Sequence, residues 1–268
     1  MPEKLKWFNP DRDETYSWKI KTTTLTDLSQ AVITSLLGSL HYVILLLDKP
    51  RTLCSGKISG KFTCMQVPSN WDNIRGMQLH LGHLYVSAGT SLFRLKIKRS
   101  PLFRKLSDPQ LVMNLPDTPS EIAIDAFNGK RMVFYSKESE GRIGQILKYS
   151  DKHKVEHMDP LNISCNHFTF TIDAIGHVMY VLTDDWTLSV IRDIHADTPP
   201  TRSTVMKVPR FSDLPITKLL FSVDTIYLAW PLKNDVMLLD VQKKCCRTRM
   251  LSSKQISRPP RVITVIGR

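Results

Sequence analysis

Histidines, acids and basic side chains carry whatever chemistry this 268-residue chain can perform. Among its eight histidines, His80 and His83 straddle a turn, His153 and His157 stand four apart, and Cys165 alternates with His167. A zinc-type site needs three or four ligands converging at about 2 Å from one point. Each of these groupings offers two, so they read as turn and strand-face residues. Asp184-Asp185 resembles half of a cation site, but an acid pair between two apolar runs also satisfies the backbone donors of a turn. The sequence contains no G-x-S-x-G, no Walker A run and no Ser/His/Asp arrangement that can be placed. No cofactor and no catalytic residue is expected.

The basic residues are a stronger signal. With 37 Lys and Arg against 25 Asp and Glu, the formal charge is +12, and it is unevenly spread. From Lys243 onward come Lys244, Arg247, Arg249, Lys254, Arg258, Arg261 and Arg268, eight basic residues and no acid in 26 positions. A second cluster comprises Lys96, Lys98, Arg99, Arg104 and Lys105. Such patches attract phosphates, anionic lipids or acidic protein segments. Aromatic positions do not interleave with them as base stacking would need, which leaves solvated loop and outer-strand faces as the simpler reading.

The elements that must position these residues follow from composition and periodicity. A chain 42% hydrophobic with only 11 glycines is neither disordered nor collagenous, and its length can bury a full core. The N-terminal segment Met1–Pro10 has charges and prolines where a leader would be apolar. The longest aliphatic run, Val43–Leu47, is far short of a membrane span. Cys54, Cys64, Cys165, Cys245 and Cys246 are odd in number and lack C-x-x-C spacing, which favours reduced thiols and a cytoplasmic or nuclear location. The sequon at Asn162 would matter only in the secretory pathway.

An internal repeat organises the chain. Tyr42, Tyr85, Phe134, Tyr180 and Tyr227 occupy one register, separated by 43, 49, 46 and 47 residues. Each lies in an apolar run preceded by an alternating strand and a short turn (Met77–Gly82, Glu121–Gly129, Phe168–Gly176, Ile216–Asp224). Another strand follows (Ser91–Ile97, Arg142–Tyr149, Thr187–Asp193, Asp235–Val241). A fourth strand ending near proline closes four of the units, at Pro68, Pro116, Pro160 and Pro209; proline suits an outer edge because it cannot donate to a ladder. Four antiparallel strands every 40 to 50 residues form the blade of a propeller.

Residues 40–268 thus resemble β-propellers generally. Phe170–Asp193 is similar to a WD40-type or NHL-type blade, with an Asp before the third strand. No repeat ends in Trp-Asp, however, and Gly-His falls between the first two strands. The expected fold is all-β, a single propeller domain of about six four-stranded blades over 1–268. Residues 40–242 hold the recognisable repeats, 1–39 a closing strand at Thr15–Lys21, and 243–268 the basic segment with a last strand at Arg261–Gly267. The ends would share one blade; an open, shortened ring is the alternative. Residues 25–37 also fit one short helix capped at Thr26 or Asp27.

The resemblance implies a non-enzymatic protein-interaction module or scaffold in an intracellular complex, a ubiquitin-ligase substrate receptor among the roles. The alternatives are a propeller binding nucleic acid or anionic phospholipid through Lys243, Lys244, Arg247, Arg249, Lys254, Arg258 and Arg261, and a metal-dependent hydrolase or lactonase. The last would gather Glu121, Asp125, Asp173 and Asp224 at the central channel. Asp125, Asp173 and Asp224 recur in phase at strand ends, where Asp is also a good turn residue.

Overall fold

The computed structural model describes residues 4–7, 21–24, 32–39, 42–48, 51–56, 62–71, 73–99, 104–115, 118–127, 130–139, 142–150, 155–157, 168–196, 200–209, 218–222, 225–229, 235–242 and 245–250. Every regular element among them is a strand. A two-stranded antiparallel ribbon pairs β1 (Lys4–Trp7) with β2 (Lys21–Thr24). Five antiparallel sheets follow, each built from consecutive strands.

The first blade comprises β3 (Val32–Ser39), β4 (Tyr42–Asp48), β5 (Thr52–Gly56) and β6 (Phe62–Gln66). The second holds β7 (Ile74–His80), β8 (His83–Ala88) and β9 (Ser91–Arg99), with β10 (Arg104–Leu106) and β11 (Gln110–Asn114) sharing the outer edge of β9. The third is β12 (Pro119–Phe127), β13 (Lys130–Ser139), β14 (Arg142–Ser150) and β15 (Val155–His157). The fourth is β16 (Phe168–Asp173), β17 (Val178–Thr183), β18 (Thr187–Arg192) and β19 (Thr201–Lys207). The fifth is β20 (Lys218–Ser222), β21 (Thr225–Ala229), β22 (Asp235–Asp240) and β23 (Cys245–Met250). The five register aromatics fall on β4, β8, β13, β17 and β21, the second strand of each blade.

First strands lie beside first strands: β3 by β7, β7 by β12, β12 by β16, and β16 by β20. Between successive blades sits a separate apolar layer. Ile44, Leu53, Trp71, Met77 and Leu95 fill the first; Tyr85, Leu92, Ile122 and Val133 the second; Phe134, Phe170, Met179 and Ile191 the third; Tyr180, Trp186, Leu188, Leu219 and Leu239 the fourth. A middle strand is therefore covered on both faces. This is why β17 is buried at five of its six positions instead of alternating, whereas β19 on the outer edge is largely exposed.

Polar side chains tie the inner strands across the gaps. Gln78 on β7 donates to the Ile124 carbonyl of β12 at 3.4 Å and accepts from the Ile124 amide. Glu121 on β12 accepts from the Thr169 hydroxyl and from the Phe170 amide of β16, each at 3.2 Å. These side-chain bonds replace the backbone ladder that ordinarily joins strands, and they fix a parallel register between neighbouring inner strands.

Two expectations are corrected. Residues 32–37 are not helical: Val32 to Ser39 pair with Asp48 to Tyr42 in β3 and β4, and an apolar segment with a partner strand two residues away gains more by pairing than a short isolated helix would. Nor are all the cysteines reduced: Cys54 and Cys64 face each other in register on β5 and β6, with Cα atoms 4.0 Å apart, and form a disulfide. Residues 25–31, residues 15–20 of the strand expected at 15–21, Cys165 and the strand expected at 261–267 lie outside the described residues, and Lys21 falls in β2.

Candidate functional site

Asp125, His177 and His195 meet at the end of the gap between blades three and four. Asp125 lies two residues before the end of β12, with its side chain 1% exposed. His177 closes the β16–β17 turn in a left-handed conformation, φ 51°, which histidine tolerates better than bulkier residues. His195 sits just beyond β18, in a turn closed by the Ala196 amide on the Asp193 carbonyl. His177 Nδ1 is 2.8 Å and His195 Nε2 2.7 Å from the same Asp125 oxygen, Oδ2. The Ala126 amide donates to the other oxygen, Oδ1, at 2.8 Å, and so sets the carboxylate's rotation.

Phe127 forms one wall. Its ring stacks on His195 with centroids 5.2 Å apart and meets His177 edge-on at 4.9 Å. Burial raises the Asp125 carboxyl, but hydrogen bonds from His195, His177 and the Ala126 amide outweigh it and leave its pKa below the usual aspartate value. The three ligand-type atoms lie within 4.8 Å of one another. His195 is 6% and His177 31% exposed, so the group opens to solvent on the His177 side.

The same end of the molecule carries apolar tips. Gly76 on β7 lies against Ile122 on β12, and Gln78 against Ile124, an offset of 46 residues. The Glu121 bonds to Thr169 and Phe170 tie β12 to β16 in the same way. Leu81 in the β7–β8 turn, Phe127 at the last position of β12 and Ile175 in the β16–β17 turn are 79%, 41% and 93% exposed, each at the first hairpin of its blade. Leu81 also has φ 45°, followed by Gly82 at 74°, two left-handed positions that favour Asn-Gly. On blade two, His80, His83 and Lys96 form one cross-strand row, and exposed Lys98 stands just beyond, in register with Lys105. Lys96 and Lys98 of the second basic cluster therefore stand at the end of the blade that carries the Leu81 turn.

Of the acids that the hydrolase alternative would gather, Asp173 stays in its own turn, as the simpler turn reading expects. Asp173 accepts the Ile175 amide at 2.9 Å inside its own turn, while its counterpart in phase, Asp125, reaches into the next blade. Glu121 serves as the inter-blade tie already described, and Asp224 lies outside the described residues. Because a strand-end carboxylate is always close to its own turn amides, recurrence in phase does not require convergence. Asp185 holds its turn by accepting from the Thr183 hydroxyl and from both the amide and the hydroxyl of Thr187. Of the C-terminal basic set, Arg247 and Arg249 fall on β23, the outer strand of blade five; Lys243, Lys244, Lys254, Arg258 and Arg261 lie outside the described residues.

No family model matches the sequence, and no curated protein matches it. The fold is similar to a chain described as "Crystal structure of Nidogen/Laminin Complex", with TM-score 0.63 and 14% identity over 92% of this chain and 90% of that one. It is also similar to "Streptogramin B lyase structure", with TM-score 0.55 and 12% identity over 92% of this chain and 76% of that one. The chain is a β-propeller. At these identities the likeness carries the fold alone, for propellers in general and not for the WD40 or NHL variety in particular. Among the described residues no helix is long and apolar enough to cross a membrane.

Sequence reading missed His195, which lies in a connector with no periodic signal, and noted His177 only as part of a Gly-His dipeptide. No periodic signal pointed to His177: it lies 52 residues after Asp125, and the position one blade period on is taken by Asp173.

Proposed function

We propose that this propeller is a non-enzymatic protein-interaction module that docks an acidic, partly apolar protein segment on the face formed by the first turns of blades two, three and four. The exposed apolar residues Leu81, Phe127 and Ile175, at the first hairpins of three successive blades, carry the reading. A leucine in a left-handed, exposed turn position works against folding, where Asn would serve better, and backbone strain of this kind collects at functional positions. Exposed apolar side chains gathered at one end of neighbouring blades mark a contact surface. Lys96 and Lys98 beside them, on a chain of charge +12, favour an acidic partner.

A protein fits this face better than a nucleic acid, because the exposed aliphatic side chains of Leu81 and Ile175 find no counterpart in a phosphate backbone. A neighbour in fold is described as part of a complex between two proteins, which agrees with the reading.

The test is a comparison of the intact chain with the double variant Leu81→Asn, Ile175→Asn. Both changes keep or improve turn propensity, so thermal stability should hold. A partner captured from cells, identified and re-purified, should bind the native chain and lose at least about tenfold in affinity to the variant, the loss of roughly 1.4 kcal/mol. Equal affinity would overturn the reading, as would binding that disappears with nuclease or transfers to anionic vesicles.

A further inference from the structure

The geometry points to a divalent transition-metal site, of the zinc class, formed by Asp125, His177 and His195 across the gap between blades three and four. This goes beyond partner docking: its three ligands are not among the docking tips, and Phe127 alone serves both. Two imidazoles and one carboxylate are the donor set that suits zinc and its neighbours, with three protein ligands and one open position. The placement meets the other demands of such a site. The ligands come from an inner strand and two tight turns, not from a long loop. His177 Nδ1 and His195 Nε2 both aim at Asp125 Oδ2, at 2.8 and 2.7 Å.

The supporting shell is present as well. The Ala126 amide fixes the carboxylate through Oδ1, the outer contact that metal-ligating groups ordinarily have. Phe127 stacks on His195, and Phe134 meets it edge-on at 6.1 Å, so two rings restrict that imidazole. Without an ion, both nitrogens carry hydrogen and donate to one oxygen. With an ion at about 2.0 to 2.2 Å from each donor, the same nitrogens present lone pairs and each ring keeps its proton on the other nitrogen. The donor atoms, now within 4.8 Å of one another, need only sub-ångström to roughly 1 Å adjustments to reach that arrangement. The open position lies on the exposed His177 side, where water completes the tetrahedron.

The probe is zinc alone, on the full chain. Protein stripped with a chelator is loaded with one to three equivalents of zinc sulfate, passed over a desalting column, and assayed for metal by mass spectrometry and for affinity by calorimetry. Cobalt substitution supplies the visible spectrum of a tetrahedral N/O site. The expected result is one zinc per native chain, with His177→Ala weakening binding by more than about 100-fold, beyond what loss of an outer-shell contact costs. Asp125→Asn should behave alike. His177 is at the surface in a turn, and its variant's melting temperature without metal reports whether it folds. No zinc retained by the native chain, or the same zinc retained by a folded His177→Ala, overturns the assignment and leaves the three residues as a hydrogen-bonded latch.

Discussion

Asp125 and His195, 70 residues apart, meet at 2.7 Å and join the inner strand of one blade to the outer connector of the next. A carboxylate with 1% exposure is tolerable only because three donors face it. Asp125→Ala leaves buried imidazole and amide donors without their acceptor, and each unsatisfied donor costs about 1–3 kcal/mol. We expect this variant, measured in chelator by urea denaturation, to lose more stability than His177→Ala, whose ring is partly in water. A loss no greater than that of His177→Ala would mean that the contact contributes little to holding the blades together.

Close approach of inner strands gives a second expectation. A Cβ on Gly76 would lie 2.7 Å from Ile122 Cγ1 and 3.1 Å from the Ser87 hydroxyl that bonds the Gly76 amide. Gly76→Ala should therefore destabilise by about 1–3 kcal/mol, as overpacking generally does. In the Ile122→Ala background the same change should cost less, since that substitution removes the Cγ1 the new Cβ would meet. Additive losses in the denaturation cycle would contradict the packing account.

The turn of blade four makes a pH prediction. Hydrogen bonds from Thr183 come first, with those from the Thr187 hydroxyl and amide and the nearby Lys207 charge, in holding the Asp185 carboxyl below its ordinary value of 3.8. A lowered pKa in the folded state contributes stability that is present above the unfolded value and lost as pH falls through the folded one. The stability difference between the native chain and Asp185→Asn should thus be constant at neutral pH and shrink below pH 3.8. A difference unchanged into that range would show that the charge plays no part.

Much of the fold was legible because blade geometry imposes its period on the sequence. Five aromatics at intervals of 43 to 49 residues all landed on second strands. The site was less legible. Asp125 stood out, but its phase grouped it with Asp173, whose carboxylate stays in its own turn. What joins Asp125 to His177 is the lateral placement of β16 against β12, where Glu121 bonds Thr169 and Phe170, and sequence alone shows neither that placement nor a connector residue such as His195. The Cys54–Cys64 bridge was hidden for a similar reason: it depends on which residues of β5 and β6 stand opposite each other.

The central claim is that one face of the propeller, the first turns of blades two to four, takes the partner. Amide hydrogen exchange of the intact chain, with and without its purified partner, tests it most directly. The account predicts protection in 81–82 and 174–177, the turns that carry Leu81 and Ile175, where amides outside the strand ladders are ordinarily faster to exchange. Protection confined to β23 and the basic residues that follow Lys243, with those turns unchanged, would contradict it and return the interface to the C-terminal basic stretch.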